Sequence, residues 1–312
     1  MLNRMRYLYG LLRGVASATQ PWSREARVKA RRKLALEFLD GEARCVTFQR
    51  DSTWWTVFLN DIVGKDLFLT GQFHSHSMDA ALNWLAASSP EWPSRPWIVN
   101  VGGNIGDTCV QLCKRETKRV LVCEPVPDTF RLLAQNVEMN ELGARVKYRQ
   151  VAIGDEDGDV EMAVTRDSGW SEVRASDGRE GFTLLEEAKR YIKVPTLTLN
   201  SLIASESLRP EDVSLVWSDT QGFEAQVIRG GAGLWATGVP LWAEFWPAGL
   251  AAHGGIPSFI REAQAHFRGF ISETALTGAA PGAQPALQPI AELPAFADQV
   301  ATMQATDLLL VP

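Results

Sequence analysis

The order of apolar and polar positions divides the chain near residue 90. Before that point Met5, Leu8, Leu11, Leu12 and Val15 recur at helical spacing with Arg4, Arg6 and Arg13 among them, which predicts a basic amphipathic helix. Residues 44–59 alternate in part, Cys45-Val46-Thr47-Phe48-Gln49 and then Trp54-Trp55-Thr56-Val57-Phe58-Leu59, and predict two short strands around an Asp51-Ser52 turn. Residues 66–71 are expected to extend this β-element, and residues 78–87 have the composition of a helix. Pro90, Pro93 and Pro96 then form a stiff linker.

From residue 97 the pattern changes to strand and helix in alternation, the signature of an open, mostly parallel sheet with helices on both faces. Strands are expected at 97–101, 119–123, 146–153, 160–164, 193–198, 213–218 and 240–247, with a closing pair at 269–273 and 306–311. Helices are expected at 107–116, at 128–142 with Asp128 as cap, from 199, and at 225–235 and 256–267. A polar segment around Trp170 and a charged one over 172–190 interrupt the alternation. Long irregular insertions in compact domains often carry substrate-specific loops. The organisation expected is an extension of helix and β-element over 1–90 and an α/β domain over 91–312.

The first strand of that domain ends in Asn100-Val101-Gly102-Gly103-Asn104-Ile105-Gly106-Asp107, a glycine-rich turn before a helix. Such a turn lets the backbone approach a ligand closely, and the helix behind it aims unpaired N–H groups at the same point. The dinucleotide fingerprint needs small residues at 102, 104 and 107, but the chain has Gly102, Asn104 and Asp107. The spacing of Gly102, Asn104 and Gly106 suits a nucleoside without a pyrophosphate, S-adenosylmethionine, bound in a Rossmann-like methyltransferase. About twenty residues past the turn the second strand ends in Glu124-Pro125, where an acidic side chain can grip two ribose hydroxyls. The acidic turn Gly154-Asp155-Glu156-Asp157-Gly158 lies either near the adenine or in solvent.

Composition narrows the partners. A net charge of -6 argues against nucleic acid, because a phosphate-tracking protein presents a basic surface. The charge is uneven: the first 33 residues hold nine Arg and Lys against one acid. That basic segment could dock on an anionic membrane, a partner or a second copy of the chain. No run of the sequence is apolar enough to span a bilayer. Cys45, Cys109, Cys113 and Cys123 show neither a C-x-x-C pair nor a histidine cluster, so no metal site is legible and a reducing, cytoplasmic setting is expected.

With these pieces in order the chain resembles the FkbM-type methyltransferases from about residue 66 to residue 312. The resemblance rests on Val101-Gly102-Gly103-Asn104-Ile105-Gly106-Asp107, Glu124-Pro125, Leu132 to Asn136 with Asn140, Val151-Ala152-Ile153-Gly154, Asp219-Thr220-Gln221-Gly222-Phe223-Glu224, Gly230-Gly231-Ala232 and Asp307-Leu308-Leu309. It implies a Rossmann-like class I methyltransferase fold with a mostly parallel seven-stranded sheet, S-adenosylmethionine as cofactor, and O-methylation of a hydroxyl on a sugar, glycan or secondary metabolite. It also implies cofactor contacts from Asn100, Gly102, Gly103, Asn104, Gly106, Asp107, Glu124, Pro125 and Ala152. Asn100 stands where the family has Asp, which removes a counter-charge for the cofactor's amino group.

Ligands in open α/β sheets lie beyond the carboxyl ends of the strands, so Asp219, at the end of 213–218, is expected to face the same crevice as Gly102 and Glu124. It is the leading candidate for the base that removes the acceptor's proton, with His76 and Glu244 as reserves; a structural cap on the following helix is the other reading. Two further classes fit the residues: a SAM-fold interaction protein with weakened catalysis, and a membrane-associated methyltransferase acting on glycolipid or polysaccharide.

Overall fold

A computed structural model of the chain describes residues 24–39, 41–59, 61–71, 75–165, 171–174, 190–280, 282–300 and 304–312. The chain divides into two units between residues 73 and 74. The basic helix expected over residues 5–15 and Trp170 lie outside the described residues, as does most of the charged segment over 172–190.

In the first unit, helix α1 (Arg24–Leu39) is followed by the antiparallel strands β1 (Cys45–Arg50) and β2 (Thr53–Phe58). Asp51 and Ser52 join them with φ of 47° and 59°, the left-handed pair a two-residue hairpin turn requires. Residues 66–71 do not extend this ribbon. They end helix α2 (Ile62–Thr70), which Asp61 opens by accepting from the Gly64 N–H at 3.1 Å and Gly71 closes in the left-handed conformation. Caps at both ends and an apolar face of Val63, Leu67 and Phe68 outweigh the strand-like composition.

The second unit begins before the Pro-rich linker and contains helix α3 (Ser75–Ser88). There follow β3 (Trp97–Val101), α4 (Asp107–Arg115), β4 (Arg119–Cys123), α5 (Pro127–Met139), β5 (Val146–Arg149), β6 (Ala152–Gly154), β7 (Gly158–Val164), β8 (Glu172–Val173) and β9 (Arg190–Thr198). The remainder comprises α6 (Leu199–Ser205), β10 (Val213–Ser218), α7 (Glu224–Gly230), α8 (Ala232–Trp235), β11 (Leu241–Phe245), α9 (Pro247–Leu250), α10 (Gly255–His266), β12 (Gly269–Ser272), α11 (Glu273–Thr277), β13 (Gln288–Pro289), α12 (Leu293–Ala297) and β14 (Thr306–Val311).

The main sheet runs β13-β12-β14-β11-β10-β3-β4-β5. Its middle strands pair in parallel, and β14 inserts antiparallel between β11 and β12. The seven expected strands are present, and the two-residue β13 adds an eighth at one edge. One face carries the larger core, in which Val99, Val101, Ala243 and Phe245 pack against Leu202, Val227, Leu234 and Phe259 of the covering helices.

Two expected elements are cut. The strand expected over 146–153 becomes β5 in the main sheet and β6, which pairs with β9 in a separate sheet of order β6-β9-β7-β8. The helix expected over 225–235 breaks at Gly230-Gly231, because α7 runs so close to β6 that a Cβ on Gly230 would collide with the Gly154 carbonyl.

Candidate active site at the ends of the central strands

Parallel register brings Gly102 beside Asp219: Val101 pairs with Ser218, and the Asp219 N–H donates to the Val101 carbonyl at 3.0 Å. Gly102 has φ +78°, and a Cβ there would strike the Asp219 carbonyl oxygen. Its N–H and that of Gly103 both donate to the Cys123 carbonyl, at 3.0 and 2.8 Å, which ties the turn to the end of β4. The turn then passes through Asn104 at φ +44° and Gly106 at φ +86°, and α4 starts at the buried Asp107.

Glu124 joins this turn from the neighbouring strand. Its Oε2 accepts from the Asn104 N–H at 2.8 Å, and its Oε1 accepts from the Val126 N–H at 2.8 Å and the Thr129 hydroxyl at 2.9 Å. Glu124 therefore also caps α5, whose flanking Val126 offers no side-chain cap; Asp128 is inside the first turn and is not the cap expected. Burial pushes the Glu124 carboxyl up to about 7, against the pull of those three donors, and the charge of Asp219 adds to the rise. Glu124, the glycine turn and Asp219 thus share one end of the sheet, as expected.

Asn100 is fully buried on β3. Its Nδ2 donates to the Trp217 carbonyl at 3.4 Å, while its Oδ1 has no donor at all. Half-buried Asp219 accepts on Oδ1 from the Gln221 amide at 2.8 Å, and the same amide reaches the Glu244 Oε2 at 3.3 Å. Glu224, which is buried, accepts on Oε1 from the Thr220 N–H at 2.8 Å and the Thr220 hydroxyl at 2.7 Å, and leaves Oε2 unpartnered. Burial pushes its carboxyl up to about 7 against those hydrogen bonds.

Other candidates lie elsewhere. His76 is exposed on α3 and lines a cavity of about 390 Å³ with Asp79, Asn83, Trp84 and Thr277, to which Gly102, Glu124 and Asp219 do not contribute. Ala152 belongs to a small apolar cluster with Val126, Met162 and Phe223, and Pro125 is half-buried in the turn after β4. In the acidic turn Asp155 pairs with Arg229 at 2.5 Å, and Asp157 accepts from the Thr198 N–H and the Ser201 hydroxyl at 2.7 and 2.6 Å. Cys109 and Cys113 share a buried face of α4, and the four cysteines are free. No group able to hold a metal ion occurs among the described residues. No helix among them is long and apolar enough to cross a membrane.

Sequence reasoning missed three participants: the Gln221 amide that links two acids, and Thr129 and Glu224, whose bonds only the folded loops reveal. The motif Asp219-Thr220-Gln221-Gly222-Phe223-Glu224 did contain the signal for two of them.

A sheet of order β5-β4-β3-β10-β11-β14-β12 with β14 antiparallel, and a glycine turn facing an acid across β3 and β4, define a Rossmann-like class I methyltransferase fold. The model of the methyltransferase FkbM domain matches residues 100–267, and the chain belongs to that family. No curated protein matches the chain. Among solved structures it is similar to TYW2 of P. horikoshii in complex with MeSAdo, at 10% identity and a TM-score of 0.41, over 86% of this chain and 72% of that one. It is similar to TYW2 of M. jannaschii in complex with AdoMet, at 8% identity and a TM-score of 0.41, over 86% and 85%. A third is the geranyl diphosphate C-methyltransferase of Streptomyces coelicolor A3(2), at 10% identity and a TM-score of 0.40, over 79% and 81%.

Proposed function

We propose that the chain uses S-adenosylmethionine to methylate a hydroxyl of a small sugar, glycan or secondary metabolite, with Asp219 as the base. The observation that carries this reading is the junction of Gly102 with Asp219, flanked by Glu124, at the carboxyl end of the central strands. The cofactor would supply an electrophilic methyl group on a sulfonium. The residues present fit it. Glu124 retains acceptor capacity beyond its three donors for ribose hydroxyls, and the buried Asn100 Oδ1 lacks a donor that an amino group would provide.

Methyl transfer from a sulfonium is an in-line displacement, so most of the work of the chain is alignment and exclusion of water. Asp219 contributes a carboxylate oxygen beyond the one held by Gln221, and that oxygen would take the hydroxyl proton as the oxygen–methyl bond forms. Gln221 keeps the carboxylate oriented and ties it to Glu244, which ranks behind it; His76 lines a different cavity and ranks last.

Calorimetric titration with S-adenosylmethionine, followed by mass spectrometry of its demethylated product in the presence of candidate hydroxyl acceptors, tests the reading. Absence of cofactor binding sinks it. Asp219→Asn should lower turnover by about 10²- to 10⁴-fold with cofactor binding intact. Full turnover in that variant removes Asp219 as base and leaves the methyltransferase standing.

A further inference from the structure

The small sheet β6-β9-β7-β8 carries a cavity of its own. Its volume is about 460 Å³, within the range of small-molecule sites, and it is lined by these strands, by Phe223 and Gln226 at the start of α7, and by the turn over residues 252–254. Gly102, Glu124 and Asp219 do not contribute to it, so it is not the crevice described above.

Two of its polar side chains are incompletely satisfied. Thr196 follows Val194 by two positions on β9 and so points to the same face, where Val194 packs with Val173 and Phe223. It is 5% exposed, and its hydroxyl has no hydrogen-bond partner among the described residues. Gln226 donates from Nε2 to the His253 carbonyl at 3.3 Å, which fixes the amide, and its buried Oε1 has no donor among the described residues. Buried polar groups are nearly always paired, and here two that are not line one cavity.

The remaining lining indicates what would complete them. Val160, Val173 and Phe223 form an apolar wall. The rim is acidic: Asp155 pairs with Arg229 at 2.5 Å and Asp159 with Lys193 at 3.0 Å, whereas Asp157 is held by the neutral donors of Thr198 and Ser201. Arg174, the guanidinium in the lining, is engaged by Glu161 at 2.6 Å. An anionic ligand, a phosphate or a carboxylate, would meet like charge here. A neutral pyranose ring matches the lining on both sides: its hydroxyls can donate to an amide oxygen and both give to and accept from a threonine hydroxyl, and its C–H face suits an apolar wall. We propose that this cavity is a second binding site, one that takes a neutral sugar ring through Thr196 and Gln226. The site would bind its sugar whether or not Asp219 is the base of methyl transfer.

The experiment titrates the full chain with the methyl glycosides of glucose, galactose, mannose and N-acetylglucosamine by saturation-transfer NMR, with methyl glucuronoside as the anionic control. At least one neutral glycoside should bind, tenfold or more tighter than the glucuronoside. Its binding should weaken at least tenfold in Thr196→Val and in Gln226→Leu, and stay within threefold of the parent in Asp219→Asn. Thr196→Val keeps the shape of the side chain and removes a hydroxyl without a partner, so it should melt no lower than the parent, and it decides the matter if Gln226→Leu fails to fold. The proposal is overturned if no neutral glycoside binds at millimolar concentration, if the glucuronoside binds equally well, or if binding survives in the cavity variants that fold. Loss of binding in Asp219→Asn alone would place the sugar in the methyl-transfer crevice and overturn it as well.

Discussion

Glu124 and Glu244 are acids at the same end of one sheet, and the chain treats them in opposite ways. Glu124 receives three donors at 2.8–2.9 Å, two of them backbone N–H groups, and stands at about 7 despite its burial. Glu244 receives one amide at 3.3 Å and is faced by Asp219, Glu224 and Asp307; it is pushed well above its ordinary value. The difference is one of local completion. Where β3 and β4 end, the folded chain satisfies its own carboxylate; where β10, β11 and β14 end, it leaves acids crowded together.

The largest effect is expected at the seam between the halves. Gly102→Ala introduces a Cβ against the Asp219 carbonyl at a φ of +78°, so both strain and collision oppose it. Stability should fall by about 3 kcal/mol, with loss of cofactor binding, as read from urea unfolding and calorimetry. A variant of unchanged midpoint would mean that the two strand ends can part freely, and the comparison would lose its common frame.

Next comes Glu124→Ala. It strips the acceptor from the Asn104 and Val126 N–H groups and the Thr129 hydroxyl at once, and should cost about 2 kcal/mol in urea unfolding. Should the variant match the parent, the three donors contribute nothing and the contrast with Glu244 is one of burial alone.

The same contrast predicts a pH dependence. A carboxyl whose folded value lies above 4.5 keeps its proton longer in the folded state, so its stabilising contribution is complete below pH 4.5 and is lost as the pH rises through the folded value. For Glu124 and Glu224, both at about 7, that loss occurs between pH 4.5 and 7. The unfolding midpoint should therefore decline from pH 5 to pH 8, and a midpoint that rises over this interval contradicts the assigned shifts.

Much of the frame was legible in the residues, and the reasons for the failures are specific. The run Val213 to Ser218 forms a strand over that same span because apolar side chains fill a slot buried on both faces, and the glycine turn could be read from spacing. Helix α2 was missed because two capping residues outweighed a strand-like composition. The expected strand over 146–153 was read as one because its apolar positions continue through Val151, although pairing partners change after Arg149. Asp219 and Glu244 could be picked out as strand-end acids, whereas Asp307 joins them only through the antiparallel register of β14. Register between distant strands depends on pairing that no local pattern encodes.

The smallest effect carries the opposite sign. Glu244→Gln replaces a crowded acid with a neutral side chain of nearly the same shape, and its amide can still meet the Gln221 side chain. At pH 8 the unfolded chain carries an ionised Glu244 in water, while the folded chain must either bind a proton or hold the charge among Asp219, Glu224 and Asp307. The variant escapes that conflict and should be more stable by about 1 kcal/mol at pH 8. At pH 4.5 the folded parent is already neutral at this position, so the advantage should shrink toward zero. Urea unfolding of parent and variant at the two pH values reads both numbers. A variant less stable than the parent at pH 8 would show that the folded chain favours the ionised form of Glu244, and the two ends of the sheet would then differ in geometry but not in electrostatic design.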